Sequence, residues 1–101
     1  MSEPKAQASV VILHDIGLHA RPSVKLTKLA KGFGARIEMA ISEAGPWIDA
    51  KSIVKVMAAK VPRDTMIHFR AEGADAQRAV DALTALVARD FEGEREDAVD
   101  G

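Results

Sequence analysis

The sequence predicts an α+β fold, an open-faced two-layer sandwich with a four-stranded antiparallel sheet and three helices on one side, in the order βαββαβα. Three observations lead there. Apolar residues recur at helical spacing in three stretches, and each gives only a single apolar stripe. Four other stretches alternate apolar and polar residues or run β-branched, as half-buried strands do. Helices with one apolar face and strands with one inward face are all satisfied by stacking every helix on the same side of one sheet.

Taken in order, residues 8–14, ASVVILH, read as the first strand, ending near Asp15. After Gly17 the period changes. Leu26, Leu29, Ala30 and Phe33 fall at i, i+3, i+4 and i+7, which predicts a helix from about Arg21 to Lys31. Pro22 suits its first turn, and Gly32 and Gly34 offer the left-handed conformation that closes a helix. Residues 35–41, ARIEMAI, alternate Ile37, Met39 and Ile41 against Arg36 and Glu38, giving a second strand. SEAGPW turns the chain, and Trp47 to Asp49 form a short third strand antiparallel to the second.

Ser52 is positioned to cap a short helix carrying Ile53, Val56 and Met57, with Pro62 beyond its end. Thr65 to Ala71 alternates Ile67 and Phe69 inward with Met66, His68 and Arg70 outward, and Gly73 closes this fourth strand. Asp75 is placed to cap the last helix, whose stripe of Ala76, Ala79, Val80, Leu83, Leu86 and Val87 runs to about Arg89. One domain over residues 1–91 is expected, followed by an acidic, disordered tail over 92–101.

Composition narrows the classes. With 48% hydrophobic and 29% charged residues the chain is globular, and no apolar run reaches the roughly 20 residues that cross a bilayer, so no membrane insertion is expected. The N-terminal MSEPKAQASVVILHD lacks the pattern of a secretory signal, which makes the cytoplasm the expected compartment. There is no cysteine, so disulfides and thiolate metal sites are excluded. Fourteen basic against fifteen acidic residues give a net charge of −1, too balanced for nucleic-acid binding by bulk electrostatics. His14 and His68 are read as structural or surface residues, too isolated to join His19 in a metal site, and no cofactor is expected.

The chemistry concentrates in GLHARPS, residues 17–23. His19 stands just ahead of the first helix, near the positive end of its dipole and beside amides that lack intrahelical acceptors. Free imidazole has a pKa of about 6.5, and the helix end together with Arg21 disfavours the imidazolium, leaving a neutral nitrogen able to attack phosphorus. Backbone amides and the Arg21 guanidinium would then receive the phosphoryl oxygens. A histidine at a helix start is also often an ordinary surface or capping residue, and spacing by itself does not separate the two readings. Arg21, Lys25 and Lys28 stand at i, i+4 and i+7, with Lys31 and Lys51 as additions; this is either a solvated helix face or a docking face for acidic partners.

Gly17-Leu18-His19-Ala20-Arg21-Pro22, Ala50-Lys51-Ser52-Ile53 and Ala71-Glu72-Gly73 together resemble the histidine-containing phosphocarrier (HPr) family of the bacterial phosphoenolpyruvate-dependent phosphotransferase system, over about Val10 to Val87. The resemblance implies a phosphoryl carrier with no enzyme activity of its own. His19 would accept a phosphoryl group on Nδ1 from phosphorylated enzyme I and pass it to a histidine of an EIIA domain, with Arg21 contacting the group. It also implies that Ser52 is a target of the HPr kinase/phosphorylase, against the alternative of a plain helix cap. Ile53, Val54 and Met57 would match the family's apolar docking patch, Val54 being the better exposed contact because it falls outside the helical stripe. A shuttle with successive partners is expected to work as a monomer.

Four features depart from the common family pattern. Asp64 stands where many members have glycine, and aspartate tolerates the left-handed conformation that turn needs. Ser23 replaces a frequent alanine and would add a hydroxyl near the phosphate; Ile16 replaces a frequent asparagine; and the acidic tail extends past the usual end. The alternatives are a carrier of the regulatory, nitrogen-type branch and, from another class, a non-phosphorylated interaction module. A histidine-dependent phosphatase is the weakest, for want of a second catalytic histidine or acid.

Overall fold

The computed structural model describes residues 4–13 and 20–91. Strand β1 spans Lys5–Val11, helix α1 Ala20–Lys31, β2 Arg36–Ala40, β3 Ile48–Asp49, α2 Ile53–Ala58, β4 Met66–Glu72 and α3 Ala76–Ala88. The four strands form one antiparallel sheet in the order β1-β4-β2-β3. Helix α3 packs across β1, β4 and β2, and α1 packs on both α3 and α2. The architecture is the two-layer open-faced sandwich expected from the sequence.

The core lies between the layers. Ile37, Met39, Ile67 and Phe69 from the sheet meet Leu26 of α1, Val56 of α2 and Val80, Leu83, Leu86 and Val87 of α3, all essentially sealed from solvent. Burying side chains of this size contributes about 1.5–3 kcal/mol each, which is what holds amphipathic helices too short to persist alone. All six residues of the α3 stripe are buried as expected.

Strand β1 begins three residues before the predicted start and ends at Val11 rather than near Asp15. Its inward residues are Ala6, Ala8 and Val10, partly buried against the core, while Lys5, Gln7 and Ser9 point outward. The alternation is genuine, but its inward side chains are small and its outward ones polar, so the β-branched run that follows is more conspicuous. Glu72 of β4 lies between Lys5 and Arg36 in the register, an arrangement of opposite charges that favours this pairing. Pairing continues past Val11: the Ile12 amide donates to the Thr65 carbonyl at 2.8 Å, and the Asp64 amide donates to the Ile12 carbonyl at 2.8 Å. Asp64 makes that turn with φ of 67°, the left-handed conformation expected of it.

Other expectations are corrected. Neither Gly32 nor Gly34 is left-handed. Helix α1 closes instead by tight-turn bonds, Gly32 N–H to Leu29 O at 3.0 Å and Phe33 N–H to Ala30 O at 3.2 Å. Asp75 sits at the start of α3 but makes no side-chain cap. Its carboxylate accepts from the amides of Gly34 and Ala35, both at 2.9 Å, stapling the α1–β2 connection to α3. His68 points away from the helices, as expected, yet is only 8% exposed, with Nδ1 hydrogen-bonded to Ser9 Oγ at 2.6 Å across the β1–β4 pair. Ile41 is 47% exposed because it lies one residue beyond β2, past the cover of the helices. Trp47 lies just outside β3, with the Arg70 guanidinium 4.1 Å from its ring centroid on the sheet's outer face. The predicted tail, 92–101, lies outside the described residues, as do His14 and Ile16.

Candidate functional site

The sequence places the candidate site at the start of α1. His19 and Gly17 lie outside the described residues; the helix itself begins at Ala20, the next residue in the chain. An α-helix leaves its first amides without intrahelical acceptors, so those of Ala20 and Arg21 are open to an external one, and Pro22 has none to leave. No acidic side chain occupies the first turn to neutralise this end of the dipole. The helix is fixed at that position because Pro22 and Ser23 are buried beneath its first turn and Leu26 is fully buried one turn on.

Arg21 is exposed and makes no hydrogen bond or ion pair among the described residues. Its guanidinium therefore stays available to an anion arriving at the helix end, with a planar fork suited to two phosphoryl oxygens. Ser23 is completely buried, so it does not present to solvent the hydroxyl that the sequence placed near a phosphate. On the same helix Lys28 and Lys31 are exposed, whereas Lys25 is half-buried and donates from Nζ to the Phe91 carbonyl at 2.9 Å. Lys51 is likewise held, donating from Nζ to the Phe33 carbonyl at 2.7 Å. The basic stripe thus divides into two anchoring lysines and three exposed cations, Arg21, Lys28 and Lys31.

Helix α2 packs beside α1 and carries the second set of candidates. Ser52 caps it as predicted: its backbone is extended, with φ −101° and ψ 110°, and Oγ accepts from the Lys55 amide at 3.3 Å. Val56 faces the core, Ile53 and Met57 are half-buried, and Val54 is 74% exposed. Val54 is the most exposed of the large apolar side chains in the described structure. Sequence reasoning missed Val24, 47% exposed on α1. The signal for it was available, since Val24 falls off the apolar stripe on a helix whose other off-stripe residues are mostly polar. Arg21 and Val24 on α1 and Ser52 and Val54 on α2 therefore belong to two helices packed against each other, while His68 lies on the opposite face of the sheet.

Among the described residues no cluster of histidine and carboxylate side chains suits a metal ion, and no helix is long and apolar enough to cross a membrane. Among the described residues, this end of the molecule combines features suited to an anion: two amides without intrahelical acceptors, a guanidinium with no partner, and exposed cations and valines on the two packed helices.

The chain is similar to known proteins along most of its length. A family model described as the PTS HPr component phosphorylation site matches residues 6–89. Phosphocarrier protein HPr of Cupriavidus necator is 43% identical over 89 residues, covering 87% of this chain and 98% of that protein. A multiphosphoryl transfer protein of Haemophilus influenzae is 36% identical over 82 residues, covering 80% of this chain but only 16% of that longer protein. Among solved structures, HPr-C-His from Thermoanaerobacter tengcongensis superposes with a TM-score of 0.77 at 29% identity, covering 88% of this chain and 98% of that one.

Proposed function

Because this chain belongs to the HPr family, the phosphocarriers of the phosphotransferase system, we propose that His19 is its phosphoryl acceptor, charged by phosphorylated enzyme I and discharged to a histidine of an EIIA domain. The observation that carries the reading is the helix end itself: the residue preceding Ala20 in the sequence is a histidine, and the exposed Arg21 guanidinium of the first turn has no competing partner among the described residues. In the step proposed, the lone pair of a neutral ring nitrogen forms the N–P bond as the bond from phosphorus to the donor breaks and its electron pair returns to the donor. Discharge reverses this toward the acceptor. The transition state spreads charge over three equatorial oxygens, so the protein's contribution is positioning and electrostatic stabilisation, here by the amides of Ala20 and Arg21 and by the guanidinium.

A carrier must meet two partners in turn, which suits a rapidly reversible, charge-steered surface on a monomer. Lys28, Val24 and Val54, with Ile53 and Met57 at the rim, make such a surface; Lys25 supports it by tying α1 to the end of α3. The match to a segment of a multiphosphoryl transfer protein supports a unit working within a chain of phosphoryl transfers. Ser52 is the regulatory position of this reading. A phosphate transferred to its Oγ from a nucleotide by an HPr kinase/phosphorylase would keep an acceptor for the Lys55 amide while setting a dianion beside Val54, repelling an acidic partner. The cytoplasm, where enzyme I and the kinase would find the chain, is the proposed compartment.

Phosphorus NMR after exposure to phosphoenolpyruvate and enzyme I tests the proposal. An acid-labile adduct on a ring nitrogen, absent from His19→Ala, is expected. Absence of the adduct with both sugar-type and nitrogen-type enzyme I would leave a non-phosphorylated interaction module in its place. Charging by the nitrogen-type enzyme alone would move the carrier to the regulatory branch.

A further inference from the structure

The charges on this molecule are balanced in one place and separated in another. On the outer face of the sheet, Glu72 lies between Lys5 and Arg36 in the strand register, and Glu38 binds Arg70 at 2.7 Å. Helix α1 supplies no acidic residue of its own: ARPSVKLTKLAK carries Arg21, Lys25, Lys28 and Lys31, and of these Arg21, Lys28 and Lys31 are exposed. The opposite surplus is in residues 92–101, where Glu92, Glu94, Glu96, Asp97 and Asp100 stand against Arg95 alone.

The end of α3 brings the origin of that acidic segment to the basic helix. Asp90 and Phe91 both take left-handed backbone, φ 59° and 63°, which turns the chain off the helix axis, and the Phe91 amide donates to the Leu86 carbonyl at 2.8 Å. Phe91 is 3% exposed, and its carbonyl accepts from Lys25 Nζ at 2.9 Å. The last described residue is thus fastened to the middle of the cationic face. Along a helix axis, about 6 Å separates Lys25 from Arg21 and about 9 Å separates it from Lys31, so three or four extended residues span either distance.

We propose that residues 92–101 lie on the basic face of α1, pairing with Arg21, Lys28 and Lys31, and so act as a built-in competitor for the acidic partner that face receives. Tethering raises the segment's effective concentration to roughly the millimolar range without any tight contact, while the pairing, being exposed, is reversible and screened by salt. The contact stands apart from the phosphocarrier reading; only its consequence for partner binding rests on that reading.

The test compares the full chain with a full-length variant carrying Glu92→Gln, Glu94→Gln, Glu96→Gln, Asp97→Asn and Asp100→Asn, by amide NMR at about 20 mM and about 500 mM sodium chloride, below and above the salt at which screening becomes short-ranged. The expected result is a set of differences over Arg21 to Lys31 at low salt that vanishes at high salt. No difference on α1, differences confined to the 88–91 junction, differences on the outer sheet face around Lys5, Arg36 and Arg70, or α1 differences that survive high salt would each overturn the proposal. With phosphorylated enzyme I as the probe, the variant is expected to associate several-fold faster at low salt and equally fast at high salt; equal rates at both salts would overturn the competition. If His19 takes no phosphoryl group, the phosphocarrier reading falls while the spectral comparison still decides the contact.

Discussion

Arg21 reaches solvent from the first turn of a helix whose position is fixed by buried neighbours, so its loss should affect chemistry and not folding. Arg21→Ala is expected to leave the denaturation midpoint within about 0.5 kcal/mol of the parent and to slow phosphoryl transfer from enzyme I by about tenfold or more, measured by rapid quench. Arg21→Lys should recover only part of that rate, because an ammonium cannot match two phosphoryl oxygens with a planar fork. Asp75 has the opposite character. The amide of Gly34 first, with that of Ala35, holds its carboxyl below the usual aspartate value, outweighing the desolvation that acts the other way. With the folded-state pKa below the unfolded one, the carboxylate's stabilisation is complete above the unfolded value of about 4 and is lost as pH falls through the lower, folded value. Asp75→Asn should therefore melt below the parent at neutral pH, and the gap should close on acidification; a gap constant down to pH about 2 would refute the staple. The sequence allowed the position of Asp75 to be read but not its partners, since an aspartate before a helix looks the same whether its oxygens turn to its own helix or to a loop 40 residues away. His68 is similar: alternation assigned its face, while the Ser9 contact that accompanies its burial comes from a neighbouring strand 59 residues distant.

Whole elements were more legible than their ends. The α3 stripe and the capped α2 follow from spacing and one serine, because helix period and cap chemistry are local properties. β1 was displaced because its inward face is alanine-rich, and the closure of α1 was misassigned because a glycine permits left-handed backbone without requiring it. Gly73 is where the requirement is real. Its φ is +144°, and a Cβ there would meet the Ala35 Cα at 2.9 Å, so the β4–α3 turn and the start of β2 touch backbone to backbone. Gly73→Ala is expected to cost about 2 kcal/mol or more from strain and displacement together, read by urea denaturation with an unchanged m-value. A cost below about 0.5 kcal/mol would mean that the contact relaxes freely.

At the scale of the molecule, the helical layer carries the candidate site and the outer sheet face carries paired charges, a division the net charge of −1 conceals. The exposed valines belong to the first of these surfaces. Val54→Asp should leave stability within about 0.5 kcal/mol while weakening binding to enzyme I by about tenfold, seen by titration calorimetry, because an aspartate there adds a like charge against an acidic partner and removes an apolar contact. Unchanged affinity would remove α2 from the docking surface. The resemblance that the GLHARP string carries, and the fold that spacing carries, are both readable in the sequence; the commitment of Lys25 and Lys51 to carbonyls is not, since it depends on how the helices lie against one another. Phe91 has a consequence of another kind. An aromatic ring seated in the core directly after the last helix works as a stopper, so whatever is spliced on downstream inherits a fixed point of departure beside α1 and not a loose hinge. A join made before that ring would uncork the interior, whereas one made after it should leave the domain's melting behaviour untouched.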